Sequence, residues 1–356
     1  MIIQLKASAG KKGFQKVVSQ LAQDGVPRER LDIFSGDTYT LVGIKGDAGI
    51  LDQDKYQSMD YVLRVHRISD PFKELSRQFH PEDTLVELRN GHCVGRDLSI
   101  IAGPCAIESR EQLFKTAELV AGAGANILRG GAFKPRTIHR SFQGLGEDGL
   151  KLLAEVREAV GLPVVSEIMD ARDIPLFVDY DIDIWQVGAR NCLNYTFLDA
   201  LSQVPNPKPV LLKRGDHVSI NELLGAALRL YEGNQQVILC ERGDKTADKV
   251  HRNVLNLNNV SYLKHHYHLP VIVDPSHGTG VRELVVDLGM AGLAAGADGL
   301  IVEVHHQPEK ALCDGAQSLN HEFDSMVPLA SSIFQMRSGL GAAQAAEFSL
   351  VEAGAI

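Results

Sequence analysis

Four residues far apart in the chain carry donor atoms suited to a divalent cation: Cys105, His277, Glu303 and Asp314. Together they offer one sulfur, one imidazole nitrogen and two carboxylates. Thiolate and imidazole favour a borderline or soft ion, and the carboxylates widen the tolerance, so Mn, Fe, Co and Zn all suit the set. Taken singly, Cys105 reads as a small core residue and His277 as a loop histidine with a local partner. A second group is cationic: Arg129, Lys134, Arg136, Arg190, Lys213 and Arg242. Gathered in one pocket, these charges call for anionic ligands, and the planar guanidinium fork matches phosphate and carboxylate. They suffice for two phosphorylated substrates. Arg214 and Arg140 read instead as solvated rim charges paired with acidic neighbours.

The rhythm of the chain from residue 98 onward is what can bring these groups together. Short apolar runs at 99–103, 125–130, 163–167, 184–188, 210–214, 237–241, 271–274 and 299–304 predict strands. They are mostly continuous rather than alternating, as in parallel strands covered on both faces. Amphipathic stretches at 111–123, 149–160, 171–178, 196–203, 220–231, 252–266 and 283–295 predict the intervening helices, and 320–336 closes the series. Eight such units over roughly 240 residues match a (β/α)8 TIM barrel. No GxGxxG follows the first strand, which argues against an open doubly wound sheet. The predicted strands end in Gly103-Pro104-Cys105, Arg129, Glu167, Gly188-Ala189-Arg190, Lys213-Arg214-Gly215, Glu241-Arg242-Gly243, Asp274-Pro275-Ser276-His277 and Glu303-Val304-His305. A barrel collects its strand C-termini at one mouth, so donors and cations are expected to share it.

Residues 1–70 have another texture. Strand patterns at 2–6, 30–34, 39–45 and 61–68, with helical ones at 13–23 and 52–59, give the order βαββαβ of a small ferredoxin-like α+β domain. Such a module is often regulatory. Residues 71–97 read as a linker, 98–338 as the catalytic barrel and 339–356 as an Ala/Gly-rich tail. With 44% apolar and 23% charged residues, the 356-residue chain suits a globular protein of one large domain or two. Its 36 Lys and Arg against 45 Asp and Glu give a net charge of −9, which argues against nucleic acid as a general partner. No apolar run is long enough to span a membrane, and none is expected as a partner. The start lacks a secretory layout, and five scattered cysteines without a CxxC pair suit a reducing compartment, so a cytoplasmic location is expected.

The strand-end motifs, with Lys134-Pro135-Arg136-Thr137, Ser141-Phe142-Gln143-Gly144 and Pro308-Glu309-Lys310-Ala311-Leu312, resemble those of the 3-deoxy-D-arabino-heptulosonate 7-phosphate (DAHP) synthases. The likeness is greatest to the type Iβ branch, which carries an N-terminal ferredoxin-like domain. It implies metal-dependent condensation of phosphoenolpyruvate with erythrose 4-phosphate to DAHP and phosphate, the first step of the shikimate pathway. It implies Cys105, His277, Glu303 and Asp314 as metal ligands, and Arg129, Lys134, Arg190, Lys213 and Arg242 around phosphoenolpyruvate. Arg136 and Thr137 would hold the aldose phosphate, Lys134 would donate a proton and Glu167 would position water. A homo-oligomer is expected, and an aromatic amino acid effector at the small domain, with Asp32 and Phe34 shaping its site.

Three departures from the family pattern stand out. Ile138-His139-Arg140 replaces the common Ser-Pro-Tyr beside the aldose phosphate and bears on aldose specificity. Cys313 replaces a common Ser, adding a soft donor or an oxidisable thiol. Asp216-His217 replaces an apolar pair. The rival readings are the same chemistry on another aldose phosphate, a non-catalytic sugar-phosphate-binding paralogue, and a metal-dependent pyruvate aldolase. Retention of every donor and cation argues against the second, and the number of cations against the third.

Overall fold

The computed structural model describes all residues except 37–38, 47, 50, 67–70, 136–139, 234–235 and 354–356, with side chains to residue 339. It comprises two compact units: Met1–Glu82 with His266–His268, and Asp83–His265 with Leu269–Ile356.

The first unit holds strands β1 (Ile2–Leu5), β2 (Leu31–Ser35), β3 (Thr40–Ile44) and β4 (Val62–His66), and helices α1 (Gly10–Gln23) and α2 (Gln53–Gln57). The strands form one antiparallel sheet in the order β2-β3-β1-β4, the expected ferredoxin-like arrangement. Strand alternation sends Ile3, Leu5, Val42, Ile44 and Val65 into one core, and Val17 and Leu21 of α1, four apart, meet them there. On β3, Gly43 leaves room for the Phe79 ring; a Cβ would stand 2.4 Å from it. The stretch 71–97, expected as one linker, therefore divides. Residues through Glu82 belong with the small unit and Asp83 onward with the barrel.

The second unit opens with a hairpin of β5 (Val86–Glu87) and β6 (Cys93–Val94). The barrel strands follow as β7 (Ser99–Gly103), β8 (Ile127–Arg129), β9 (Val164–Ile168), β10 (Ile184–Val187), β11 (Val210–Lys213), β12 (Val237–Glu241), β13 (Val271–Val273) and β14 (Gly299–Glu303). Each pairs in parallel with its neighbour, and β14 closes on β7. The helices are α3 (Arg110–Ala123), α4 (Glu147–Val160), α5 (Ile174–Asp179), α6 (Tyr195–Ser202), α7 (Ile220–Glu232), α8 (Leu257–His266), α9 (Pro275–Thr279), α10 (Arg282–Ala294) and α11 (Glu322–Ala353). The last runs through most of the expected tail. Among the described residues no helix is long and apolar enough to cross a membrane.

One apolar layer inside the barrel, with Ile101, Ile127, Val165, Leu211, Ile238, Ile272 and Ile301, packs with Val86, Leu88 and Val94 from the hairpin. Apolar filling thus occupies that part of the interior, and the polar groups collect where the strands end. Arg214 is not the solvated rim charge expected: it is 2% exposed. Its Nε and Nη2 donate to the two carboxylate oxygens of Glu241 at 2.7 and 2.8 Å, and Nη1 lies 2.6 Å from Asp244. Alternation along the chain explains the correction, because Lys213 faces the barrel mouth and its neighbour must face away. Arg214→Ala would leave the Glu241 carboxylate buried without its cation. It should lower the unfolding free energy by roughly 3–5 kcal/mol in urea denaturation, and a loss below about 1 kcal/mol would contradict a structural ion pair here.

Candidate active site

The local sequence Asp274-Pro275-Ser276-His277 sets the first part of the site. Asp274 caps α9, its Oδ1 accepting the His277 N–H at 2.9 Å, while Pro275 occupies the first helical turn. This turn folds the imidazole back on its own cap, so His277 Nδ1 donates to Asp274 Oδ2 at 2.8 Å. Lys213, at the end of β11, reaches the same oxygen at 2.5 Å. Burial alone would raise the Asp274 carboxyl, but His277, Lys213 and Arg129 hold it well below the usual carboxylate range. Burial lowers His277 despite Asp274 and Glu303, so the imidazole is neutral at neutral pH. With Nδ1 carrying the proton, Nε2 presents a lone pair, 3.3 Å from Glu303 Oε1.

Two acceptors facing one another at that distance are the arrangement a cation relieves. Glu303 ends β14 and is fully buried. Arg129 Nη2 donates to its Oε1 at 3.2 Å and Gln317 Nε2 to its Oε2 at 2.6 Å, while its own N–H donates to Ser276 Oγ at 2.9 Å. Asp314 completes this triad: ligand atoms of His277, Glu303 and Asp314 lie within 4.8 Å of one another. A second triad, Cys105, Cys313 and Asp314, meets the same limit. Cys105 Sγ lies 3.3 Å from Asp314 Oδ2 and 3.1 Å from Cys313 Sγ. Mixed sulfur, nitrogen and carboxylate donors converging in this way fit a divalent metal.

Above the donors opens a cavity of about 280 Å³ lined by Arg129, Lys134, Arg190, Lys213, Arg242 and Arg252, with Glu167, Gln186, His277 and Asp314. Lys134 Nζ donates to the carbonyl and Sγ of Cys105 at 3.0 and 3.1 Å. Burial works against its charge, but Cys105, Glu167, Cys313 and Glu303 outweigh that and keep it protonated beyond the ordinary lysine range. Burial also lowers Arg242, and among the described residues neither Arg190 nor Arg242 forms an ion pair. Arg129 Nη1 is buried with no hydrogen-bond partner among the described residues. Desolvated cations and an orphaned donor on one wall create a demand for an anion.

The structure therefore brings together Cys105, Arg129, Lys134, Glu167, Arg190, Lys213, Arg242, His277, Glu303 and Asp314 around one mouth. Arg136 and Thr137, with Ile138 and His139, lie outside the described residues; Arg140 is exposed. Sequence reasoning missed Arg252, which sits in the irregular stretch between β12 and α8 rather than at a strand end. It also missed Gln317 as the residue holding Glu303.

Barrels of this kind are enzymes whose chemistry sits at the strand C-termini, and here that position gathers cationic side chains and donor atoms of the types that ligate metals. Residues 83–336 match the DAHP synthetase I family and residues 1–70 the DAHP synthase ferredoxin-like domain, and the chain belongs to the DAHP synthase family. It is 44% identical over 323 residues to the phospho-2-dehydro-3-deoxyheptonate aldolase of Thermotoga maritima, covering 90% of this chain and 94% of that protein. The crystal structure of a Thermotoga maritima DAHP synthase, at 42% identity, matches with a TM-score of 0.71 over 96% of this chain and 98% of that one. A 2-dehydro-3-deoxyphosphooctonate aldolase of Desulfatibacillum aliphaticivorans is 33% identical over 257 residues, 66% of this chain and 91% of that protein.

Gly188 offers a direct check on the geometry, because a Cβ there would stand 1.8 Å from Glu167 Oε1. Gly188→Ala must turn that carboxylate away while leaving the strand intact. The expected result is a loss on the order of a hundredfold in kcat/KM with an unchanged urea midpoint. Unaltered kinetics would show that the placement of Glu167 is immaterial.

Proposed function

We propose that the protein condenses phosphoenolpyruvate with erythrose 4-phosphate to give DAHP and inorganic phosphate, using a divalent cation. The observation that carries this reading is the cavity in which Arg129, Lys134, Arg190, Lys213 and Arg242 share one wall with His277 and Asp314. The higher identity to the heptonate aldolase than to the octonate aldolase supports a four-carbon aldose phosphate.

Cys105, His277, Glu303 and Asp314 would hold the cation, which when bound supplies Lewis-acid polarisation of the aldehyde oxygen. Arg129, Arg190, Lys213 and Arg242 bind the carboxylate and phosphate of phosphoenolpyruvate and fix C3 towards the aldehyde carbon. As that carbon–carbon bond forms, the aldehyde oxygen takes a proton from Lys134. Water held by Glu167 adds at C2, one of its protons restoring Lys134; the bond from C2 to the phosphate oxygen then breaks, phosphate leaves with that electron pair and takes the second proton, and C2 becomes the ketone carbon. The cationic wall stabilises the charge that builds on the departing group. Arg136 and Thr137 hold the aldose phosphate in this scheme.

Activity should vanish on exhaustive chelation and return on adding Mn²⁺. Cys105→Ala and His277→Ala should be inactive yet folded; full turnover at zero measured metal would refute the scheme. Arg190→Ala, Lys213→Ala and Arg242→Ala should each cost about 1.5–3 kcal/mol in kcat/KM, mainly for phosphoenolpyruvate, and Arg136→Ala mainly for the aldose. Faster phosphate release with a five-carbon aldose phosphate would reassign the substrate.

The small unit is proposed to bind an aromatic amino acid. It has a cavity of about 550 Å³ lined by Ile2, Gln4, Tyr39, Leu41, His66, Gln78 and Pro81. Asp32 and Phe34 do not line it. Asp32 pairs with Lys45 at 2.8 Å, and Phe34 packs edge-on against Phe79 and His80. Phe or Tyr should give binding heat with the full chain and inhibit it, whereas a chain beginning at Asp83 should turn over without that response. No heat from Phe, Tyr or Trp, with unchanged kinetics, would refute this role.

A further inference from the structure

We infer that Cys313 is a fifth donor at the cation site, giving it a two-sulfur edge that favours thiophilic ions; the inference rests on the cation site proposed above. Its sulfur is 3.1 Å from that of Cys105, and both side chains are buried. Cys313, Cys105 and Asp314 have ligand atoms within 4.8 Å of one another, and Asp314 also belongs to the triad with His277 and Glu303, so Cys313 stands beside the donor set through the one residue that both triads share.

Neighbouring side chains ordinarily diverge, and Cys313 and Asp314 converge on Cys105 for a stated reason. Asp314 has φ 53°, a left-handed conformation that Asp adopts more readily than most residues. The loop before it is fastened, because Glu108 Oε1 accepts the Leu312 N–H at 2.8 Å. Sites that impose such a conformation on a non-glycine residue hold it by their surroundings, and strain of this kind concentrates at functional sites. The bland alternative is packing: Cys105, Cys313 and Ala106 form a small cluster with Phe142 against it.

On binding, each sulfur exchanges its proton, which leaves to solvent, for a bond to the ion. A second thiolate should raise the preference for Zn²⁺ over Mn²⁺, because soft donors select soft or borderline ions.

The test uses the full chain, reduced with a phosphine and loaded with Co²⁺, and reads the sulfur-to-cobalt charge-transfer band in the near ultraviolet. Cys313→Ser and Cys105→Ser should each keep about half of the band, and the double variant none. Cys313→Ser should also lower the Zn²⁺-to-Mn²⁺ affinity ratio roughly tenfold or more. X-ray absorption at the zinc edge of the unsubstituted protein should count two sulfur neighbours, a measurement independent of how the variants fold. A full band in Cys313→Ser, or a single sulfur at zinc, overturns the inference and leaves the cation site standing. No Co²⁺ or Zn²⁺ bound by the unsubstituted chain overturns the cation site itself.

Discussion

The mouth of this barrel is organised around a carboxylate that water does not reach. Asp274 is fully buried, and three obligations meet on it: the cap of α9, the Nδ1 proton of His277 and the ammonium of Lys213. A buried charge is tolerable only when it is paired and hydrogen-bonded, and here two of the partners are side chains that line the cavity, His277 and Lys213. The carboxylate fixes which imidazole nitrogen keeps its lone pair, and so which atom faces Glu303. It also sets how far Lys213 extends into the cavity. Loosening this one group would disturb the donor side and the cationic side together.

Much of this was legible in the residue order because parallel barrels make their strand ends conspicuous. Apolar runs stop abruptly at charged or sulfur-bearing residues, and the fold carries those stops to one place. Eight of the ten expected site residues that meet around the mouth do so for that reason, while Lys134 and Asp314 come from the loops after β8 and β14. Arg252 was not legible, since it comes from an irregular stretch whose path depends on tertiary contacts such as its N–H to the Thr279 carbonyl. Gln317 looked like any polar loop residue until Glu303 was seen to need a donor. Arg214 was misread because the strand-end rule does not say which side of the strand a residue takes. One step of alternation separates a residue in the cavity from one locked in an ion pair behind it.

The electrostatics of the cavity are unbalanced by design of the fold rather than by overall composition, since the chain as a whole is acidic. Lys213 and Arg129 find carboxylate partners beneath the cavity floor, whereas Arg190 and Arg242 have none among the described residues. The first pair is thereby tied to buried carboxylates, and the second is not. Preorganised charge of this kind avoids reorganisation during reaction, which is why its effect exceeds that of the same groups in water.

The small unit is discontinuous in sequence, since it includes His266–His268 from late in the chain. His268 Nε2 contacts the Glu74 carbonyl at 3.0 Å, and Tyr267 bridges to Ser76. Its main body is made first by the ribosome, yet those contacts cannot form until most of the barrel has followed. At ordinary rates of synthesis that interval is roughly ten to forty seconds. The segment made earliest is therefore among the last to be completed, since Glu74 and Ser76 must wait for partners that have not yet been translated.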